Sequence, residues 1–321
     1  MTECSLYNEK ESDVWDSFVE SSNNGTLYHL RRFLSYHPPE RFEDHSLMFH
    51  KKGKLRALFP ACVVDTDSKR TLYSHRGASI GGFVLEESSS FKDAFDFTKS
   101  LISHAKNNGF DKIILTLPPL IYLTRLSNNI DFALLQNGFS YLKREVSSVL
   151  SLKPTLEANL DNFRSEARTA YRRAVKLGVE IRESEDFKGF YKILEANLWA
   201  RHGVTPTHTV AELKKLKKLF PDRIALLGAY AEGKMIAGVV LFEGNPKVII
   251  AFYISHDEKY QKYRAVNLLF HDIIKRAIER NFKFLDFGIF TVDMEPNWGL
   301  GRFKESFGAS GLFRDVMELD L

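Results

Sequence analysis

Lys259, Gln261, Lys262 and Arg264 stand directly ahead of a helix-like run that begins at Ala265. The first N–H groups of a helix have no intrahelical partner and carry the positive end of its dipole, so this segment is suited to cradle a phosphate-bearing anion. Asp286 lies in the short apolar run Phe284-Leu285-Asp286-Phe287. A carboxylate at a strand end can accept the proton of an attacking amine, and burial would raise its pKa toward a useful value. His202 and His208 flank Pro206 and offer imidazoles that titrate near neutrality. They are six residues apart with no Cys beside them, which is no metal-ligand pattern, so no metal is expected. Lys304 and Glu305 are further candidates to line a cleft, and Trp298 to wall it. Each group also has a plainer role: a solvated loop for the cations, a backbone cap for Asp286, structural hydrogen bonds for the histidines, core packing for Tyr253.

A second cationic feature precedes these. Arg164, Arg168, Arg172 and Lys176 are spaced by four and so share one helix face. Like charges so placed repel, which suits either an anion bound there (a pyrophosphate, a lipid carrier or RNA) or a plain solvated face. The formal net charge of +4 is unevenly placed: residues 1–150 hold 18 basic and 18 acidic residues, residues 151–321 hold 27 and 23. That excess is too small to imply nucleic acid and fits a small anionic molecule bound in the second half.

The elements that must position these groups occur twice. Lys52-Gly53-Lys54 and Glu232-Gly233-Lys234 each sit between strand-like runs and read as hairpin turns. A helix ending near Asn108 leads into Gly109-Phe110-Asp111-Lys112, and one ending near Arg280 into Asn281-Phe282-Lys283. Gly138 with Arg144-Glu145-Val146 is echoed by Gly308 with Arg314-Asp315-Val316. Three matches in one order predict a duplication, with lobes at 1–150 and 151–321. In the second lobe the pattern predicts helices over 186–202 and 211–219, strands over 224–231, 235–243 and 247–255, a helix over 265–280, and strands over 283–289 and 315–321. A mixed α/β sheet with helices on both faces follows.

This order resembles the N-acetyltransferase (GNAT) superfamily, and the paired lobes resemble its FemABX-related acyltransferase group. The likeness is carried by the basic helix Arg164–Lys176 running into Gly178-Val179, by Leu285-Asp286-Phe287-Gly288, by Arg302-Phe303-Lys304-Glu305-Ser306-Phe307-Gly308, and by Arg201-His202-Gly203 with Pro206-Thr207-His208-Thr209. The superfamily's pyrophosphate loop reads Gln/Arg-x-x-Gly-x-Gly/Ala. Here Gln261 is kept, while Arg264 and Val266 fill the small positions. The resemblance implies an acyltransferase that moves an acyl group from acyl-CoA to an amine of a sugar or cell-envelope precursor, a small or lipid-linked anion. It implies donor contacts from Tyr253 and Ile254 through Ala265, with a backbone N–H of strand 248–255 polarising the thioester. Two alternatives stand beside it: an aminoacyl-tRNA-dependent peptidoglycan aminoacyltransferase, and a lobe pair that binds a ligand without catalysis. In both enzymatic readings the first lobe shapes the acceptor side.

A length of 321 residues at 44% hydrophobic content fits two soluble domains. Two isolated cysteines, Cys4 and Cys62, make no disulfide framework and are expected to be inert in a reducing compartment. The N-terminus is polar and acidic, unlike a secretory signal, and no apolar run is long enough to span a bilayer, so a cytoplasmic location is expected.

Overall fold

The computed structural model describes residues 2–66 and 69–321; the side chains of Arg201 and His202, and so the role expected of His202, lie outside the described residues. The chain forms two compact units, residues 1–145 with 313–321, and residues 146–312.

The first unit opens with β1 (Thr2–Leu6), α1 (Ser12–Ser21) and α2 (Arg31–Leu34). Then come β2 (Glu43–Asp44), β3 (Leu47–Lys51), β4 (Lys54–Phe59), β5 (Cys62–Thr66), β6 (Lys69–Ser74) and β7 (Val84–Leu85). It continues with α3 (Phe91–Asn107), β8 (Lys112–Thr116), α4 (Asn129–Gln136) and the long β9 (Ser140–Ser151), which crosses into the second unit. The strands pair as β1-β3-β4-β7, and as β2-β5-β6-β8 with the last strand of the chain beside β8. A core of Phe49, Phe59, Phe97, Leu101 and Ile113 fills this unit.

The second unit has α5 (Leu156–Leu160), α6 (Ser165–Lys176), β10 (Glu180–Ser184), α7 (Phe187–His202) and α8 (Val210–Leu219). The strands β11 (Ile224–Ala231), β12 (Lys234–Asn245) and β13 (Val248–His256) form an antiparallel meander. A 3-10 turn over Glu258–Tyr263 leads into α9 (Ala265–Glu279), then β14 (Phe284–Ile289), the two-residue strands β15 (Thr291–Val292) and β16 (Glu295–Pro296), and α10 (Trp298–Glu305). The sheet order is β10-β11-β12-β13-β14-β9. Leu269, Phe270, Ile273, Ile274 and Ala277 of α9 are fully buried against it. At roughly 2 kcal/mol per large apolar side chain removed from water, this one face is enough to fix the helix on the sheet.

The repeated motifs are repeated structures. Lys52 and Gly53 have φ of 53° and 72°, and Glu232 and Gly233 have φ of 53° and 73°. Two successive left-handed residues are what a tight type I′ hairpin turn requires, and glycine takes the second place without a Cβ clash. Helix α3 ends with left-handed Gly109 and the Phe110 N–H on the Ala105 carbonyl; α9 ends with left-handed Asn281 and the Phe282 N–H on the Ala277 carbonyl. The two copies thus share turn, helix end and following strand, a duplicated α/β arrangement.

The final strand β17 (Ser310–Asp320) departs from a boundary at 150/151. Its residues Val316–Asp320 pair with β8 and Met317 is buried in the first unit's core. The apolar alternation that marks a strand says nothing about which sheet receives it, so the sequence placed this strand with its neighbours in the chain.

Candidate active site

The parallel pairing of β13 with β14 covers only Val248–Ile250 against Phe284–Asp286, although the strands run on to His256 and Ile289. Phe252 is bulged out of the β12–β13 register, and such an extra residue bends the strand that carries it. Past Ile250, β13 therefore has no partner strand on its β14 side. A cavity of about 550 Å³ lies in this unit, lined by Ile236, Ile254, Tyr260, Gln261, Arg264 and Ala265 among others. Its volume is in the range of small-molecule sites.

Helix α9 begins at this cavity. Arg264 holds the N-cap position in a left-handed conformation, φ 54°, and no side chain caps the helix. The Asn267 N–H donates to the Arg264 carbonyl at 3.1 Å, while the amides of Ala265 and Val266 keep their capacity to bond where these residues line the cavity. Among the described residues the Arg264 guanidinium makes no ion pair. The turn ahead of it is held to the β11–β12 hairpin by the Tyr263 hydroxyl donating to the Glu232 carboxylate.

The equivalent helix of the first unit is built the other way. Ser90 caps α3, with its hydroxyl accepting from the Asp93 N–H, and the Asp93 carboxylate accepts from the Ser90 N–H and hydroxyl and from Lys51 at 2.5 Å. Burial opposes ionisation of Asp93, but these bonds together hold its carboxyl down to about 2. The anion that α3 attracts is thus part of the chain, and its N-terminus is closed. The Ser79-Ile80-Gly81-Gly82 turn is closed as well: a Cβ at Gly81 would lie 2.2 Å from the Ser74 carbonyl oxygen, so its glycine serves close backbone packing.

Of the expected site residues, Ile254, Gln261, Arg264 and Ala265 come together at the cavity. Lys259 and Lys262 belong to the same turn and are exposed. Tyr253 does not line the cavity; its hydroxyl lies 2.9 Å from His208 Nδ1, and burial pushes its pKa up. His208 is buried in that pairing, as a structural histidine would be. Asp286 is fully buried, and its carboxylate accepts the Gly288 N–H at 2.7 Å. It holds the backbone at the end of β14 and is not presented to the cavity. Lys304 is buried too, donating to the Gly288 and Ile289 carbonyls at 2.8 and 2.7 Å. Both residues thus grip one bend, because a buried charge requires partners. Arg164 leaves the stripe of four cations: it is the N-cap of α6 and pairs with Glu305 at 2.7 Å. Trp298 begins α10 and is 78% exposed.

The polar wall of the cavity was not anticipated. Asn197 of α7, His256 at the end of β13, and Asn297 at the cap of α10 all line it. The Asn197 amide donates to the His256 carbonyl at 3.1 Å, and His256 Nε2 lies 3.6 Å from a Glu258 carboxylate oxygen. Only His256 had a local signal, an imidazole at a strand end two residues before a carboxylate. The asparagines come from elements a hundred residues apart.

Residues 161–304 match the family model described as an acetyltransferase (GNAT) domain. Among solved structures, FemX aligns over 99% of this chain and 97% of its own, with a TM-score of 0.77 at 14% identity. L-PGS from Bacillus licheniformis aligns over 97% and 92%, with a TM-score of 0.60 at 13% identity. A tandem GNAT protein from the clavulanic acid biosynthesis pathway aligns over 100% and 98%, with a TM-score of 0.57 at 10% identity. At such identities the likeness is one of fold. No curated protein sequence matches the chain. Residues 161–304 thus match an acetyltransferase (GNAT) domain, in a chain whose fold is like that of FemX and of the tandem GNAT protein.

Proposed function

We propose that the protein is an N-acyltransferase that takes its acyl group from acyl-CoA and passes it to an amine of a small or lipid-linked anionic acceptor, such as a sugar or cell-envelope precursor. The observation that carries this reading is the open N-terminus of α9 at the cavity, set against the same helix of the first unit, which Asp93 closes. The donor's diphosphate would take the first-turn amides of α9, with Arg264 and Gln261 beside it, so that side-chain charge does what close glycine backbone does in other phosphate loops. The unpartnered edge of β13 near Ile254 offers N–H groups to the thioester carbonyl, whose oxygen gains charge as the amine attacks. The amine nitrogen bonds to the carbonyl carbon, the carbon–sulfur bond breaks, and the CoA thiolate departs. His256 is assigned the proton lost by the amine, with Glu258 favouring the imidazolium that results. No covalent enzyme intermediate is needed when both substrates are held in line.

The test is release of free CoA thiol from acetyl-CoA in the presence of amino-sugar acceptors. His256→Gln is expected to lower turnover by about 10²-fold with donor affinity little changed. Undiminished turnover in that variant would remove His256 from the mechanism; no thiol release with any acceptor, although acetyl-CoA binds, would favour a ligand-binding role.

A further inference from the structure

Helix α6 carries four cations on its outward side, of which Arg172, Arg173 and Lys176 are exposed and Arg168 is half-buried. Ala167 and Ala174 are buried, and they set the inward side of the helix. At 3.6 residues per turn, Arg168, Arg172, Arg173 and Lys176 fall within an arc of about 140° on the opposite side. Among the described residues none of the four makes an ion pair, and Arg172 has only the ring of Tyr171, 6.0 Å away. Arg168, Arg172 and Lys176 are one turn apart, where like charges destabilise a helix. Arg173 and Lys176 are in the last turn and gain from the helix dipole, but Arg168 and Arg172 are not. Exposed apolar residues flank this arc, one on each side: Val175 is 56% exposed and Leu177, at the C-cap, 43%.

We propose that this face of α6 docks on an anionic phospholipid bilayer. Its charge is complementary to acidic headgroups, which attract Lys and Arg near a membrane surface, and Val175 and Leu177 border the cations on either side, where apolar groups can enter the interfacial layer. An RNA backbone would use the charges but gains nothing from two exposed aliphatic side chains, and this face has no exposed aromatic ring for bases to stack on. The surface is separate from the donor cavity, so the proposal does not depend on the donor's identity. It would bring the second unit to a bilayer that holds anionic lipids or lipid-linked acceptors.

Cosedimentation with vesicles tests it. The protein is expected to pellet with an equal mixture of phosphatidylcholine and phosphatidylglycerol, to stay in solution with phosphatidylcholine alone, and to be released as salt rises. Each cation near the surface changes partitioning by about fivefold, so Arg172→Gln with Lys176→Gln is expected to lower it by about 30-fold. Val175→Ser with Leu177→Ser is expected to weaken the binding that persists in high salt. Arg172, Val175, Lys176 and Leu177 are exposed, so thermal melts should match the parent; Arg168→Gln with Arg172→Gln, the first of them half-buried, avoids the last turn of the helix should the first pair unfold it. No sedimentation with the mixed vesicles, or sedimentation that ignores both charge pairs, would overturn the proposal. Binding of bulk tRNA that is lost in these variants, without vesicle binding, would overturn it in favour of an RNA surface.

Discussion

Arg264 and Asp286 show how differently two charged residues near one helix and strand can be employed. Arg264 is exposed beside the uncapped start of α9, and its guanidinium makes no ion pair among the described residues. Asp286 is fully buried with its carboxylate on the Gly288 amide. Replacing Arg264 by Ala is therefore expected to weaken acetyl-CoA binding by roughly 1–2 kcal/mol, the loss of one charge-assisted hydrogen bond, and to leave the melting temperature nearly unchanged. Arg168→Ala should affect donor binding far less. Asp286→Ala should do the reverse. It leaves the half-buried Gly288 amide without its acceptor, so urea unfolding is expected to show a loss of about 1–3 kcal/mol, while calorimetry on the folded protein finds donor affinity preserved. Donor affinity that collapses in Asp286→Ala with stability intact would restore Asp286 to the site.

At the scale of elements, the duplication supports the proposal that the second unit holds the ligand. The two helices α3 and α9 begin alike in the fold and differ in one device, the Ser90–Asp93 box against a bare Arg264. The position in α9 equivalent to Asp93 is Asn267, third residue of the helix. Asn267→Asp puts a carboxylate at the positive end of α9 and into the cavity wall. It is expected to stabilise the helix by a few tenths of a kcal/mol up to about 1 kcal/mol and to lower acetyl-CoA affinity by about tenfold, opposite signs from one substitution. Unfolding and binding measured on the same preparation would check both. Much of this was legible in the sequence. The hairpin glycines, the apolar spacing of α9 and the Gly-Phe and Asn-Phe helix ends are local signals, and each gave an element close to its observed bounds. The Ser-x-x-Asp cap of α3 is a local signal too, but its contrast with the uncapped α9 is visible only once the two helices are compared in the structure. Asn197 and Asn297 were not legible, because their meeting depends on the packing of α7 and α10, and no spacing along the chain reports it. Asp286 and Lys304 were legible as polar residues beside apolar runs, whereas their burial against the bend at Gly288 was not.

For the molecule as a whole, the response to acid should be uneven. Burial lowers the pKa of His29 and His75 to about 4, and burial, the neighbouring His104 and Arg70 lower His45 to about 4 as well. All three lie in residues 1–145. Between pH 6.5 and about 4 the unfolded chain binds protons that the folded one refuses. Stability is therefore complete above pH 6.5 and falls as the pH drops toward 4, with His29 and His75 together contributing on the order of a few kcal/mol. Hydrogen exchange at pH 5 should show the amides of the first unit losing protection ahead of those of the second; equal loss in both would contradict this. Among the described residues no helix is long and apolar enough to cross a membrane. The central claim is that the second unit binds the diphosphate of an acyl-CoA at the start of α9. Calorimetric titration of acetyl-CoA into the parent protein and into Arg264→Ala tests it most directly. Saturable one-site binding by the parent, weakened roughly tenfold in the variant, is the predicted result; no heat with acetyl-CoA or longer thioesters, or equal affinity in the two proteins, would contradict it.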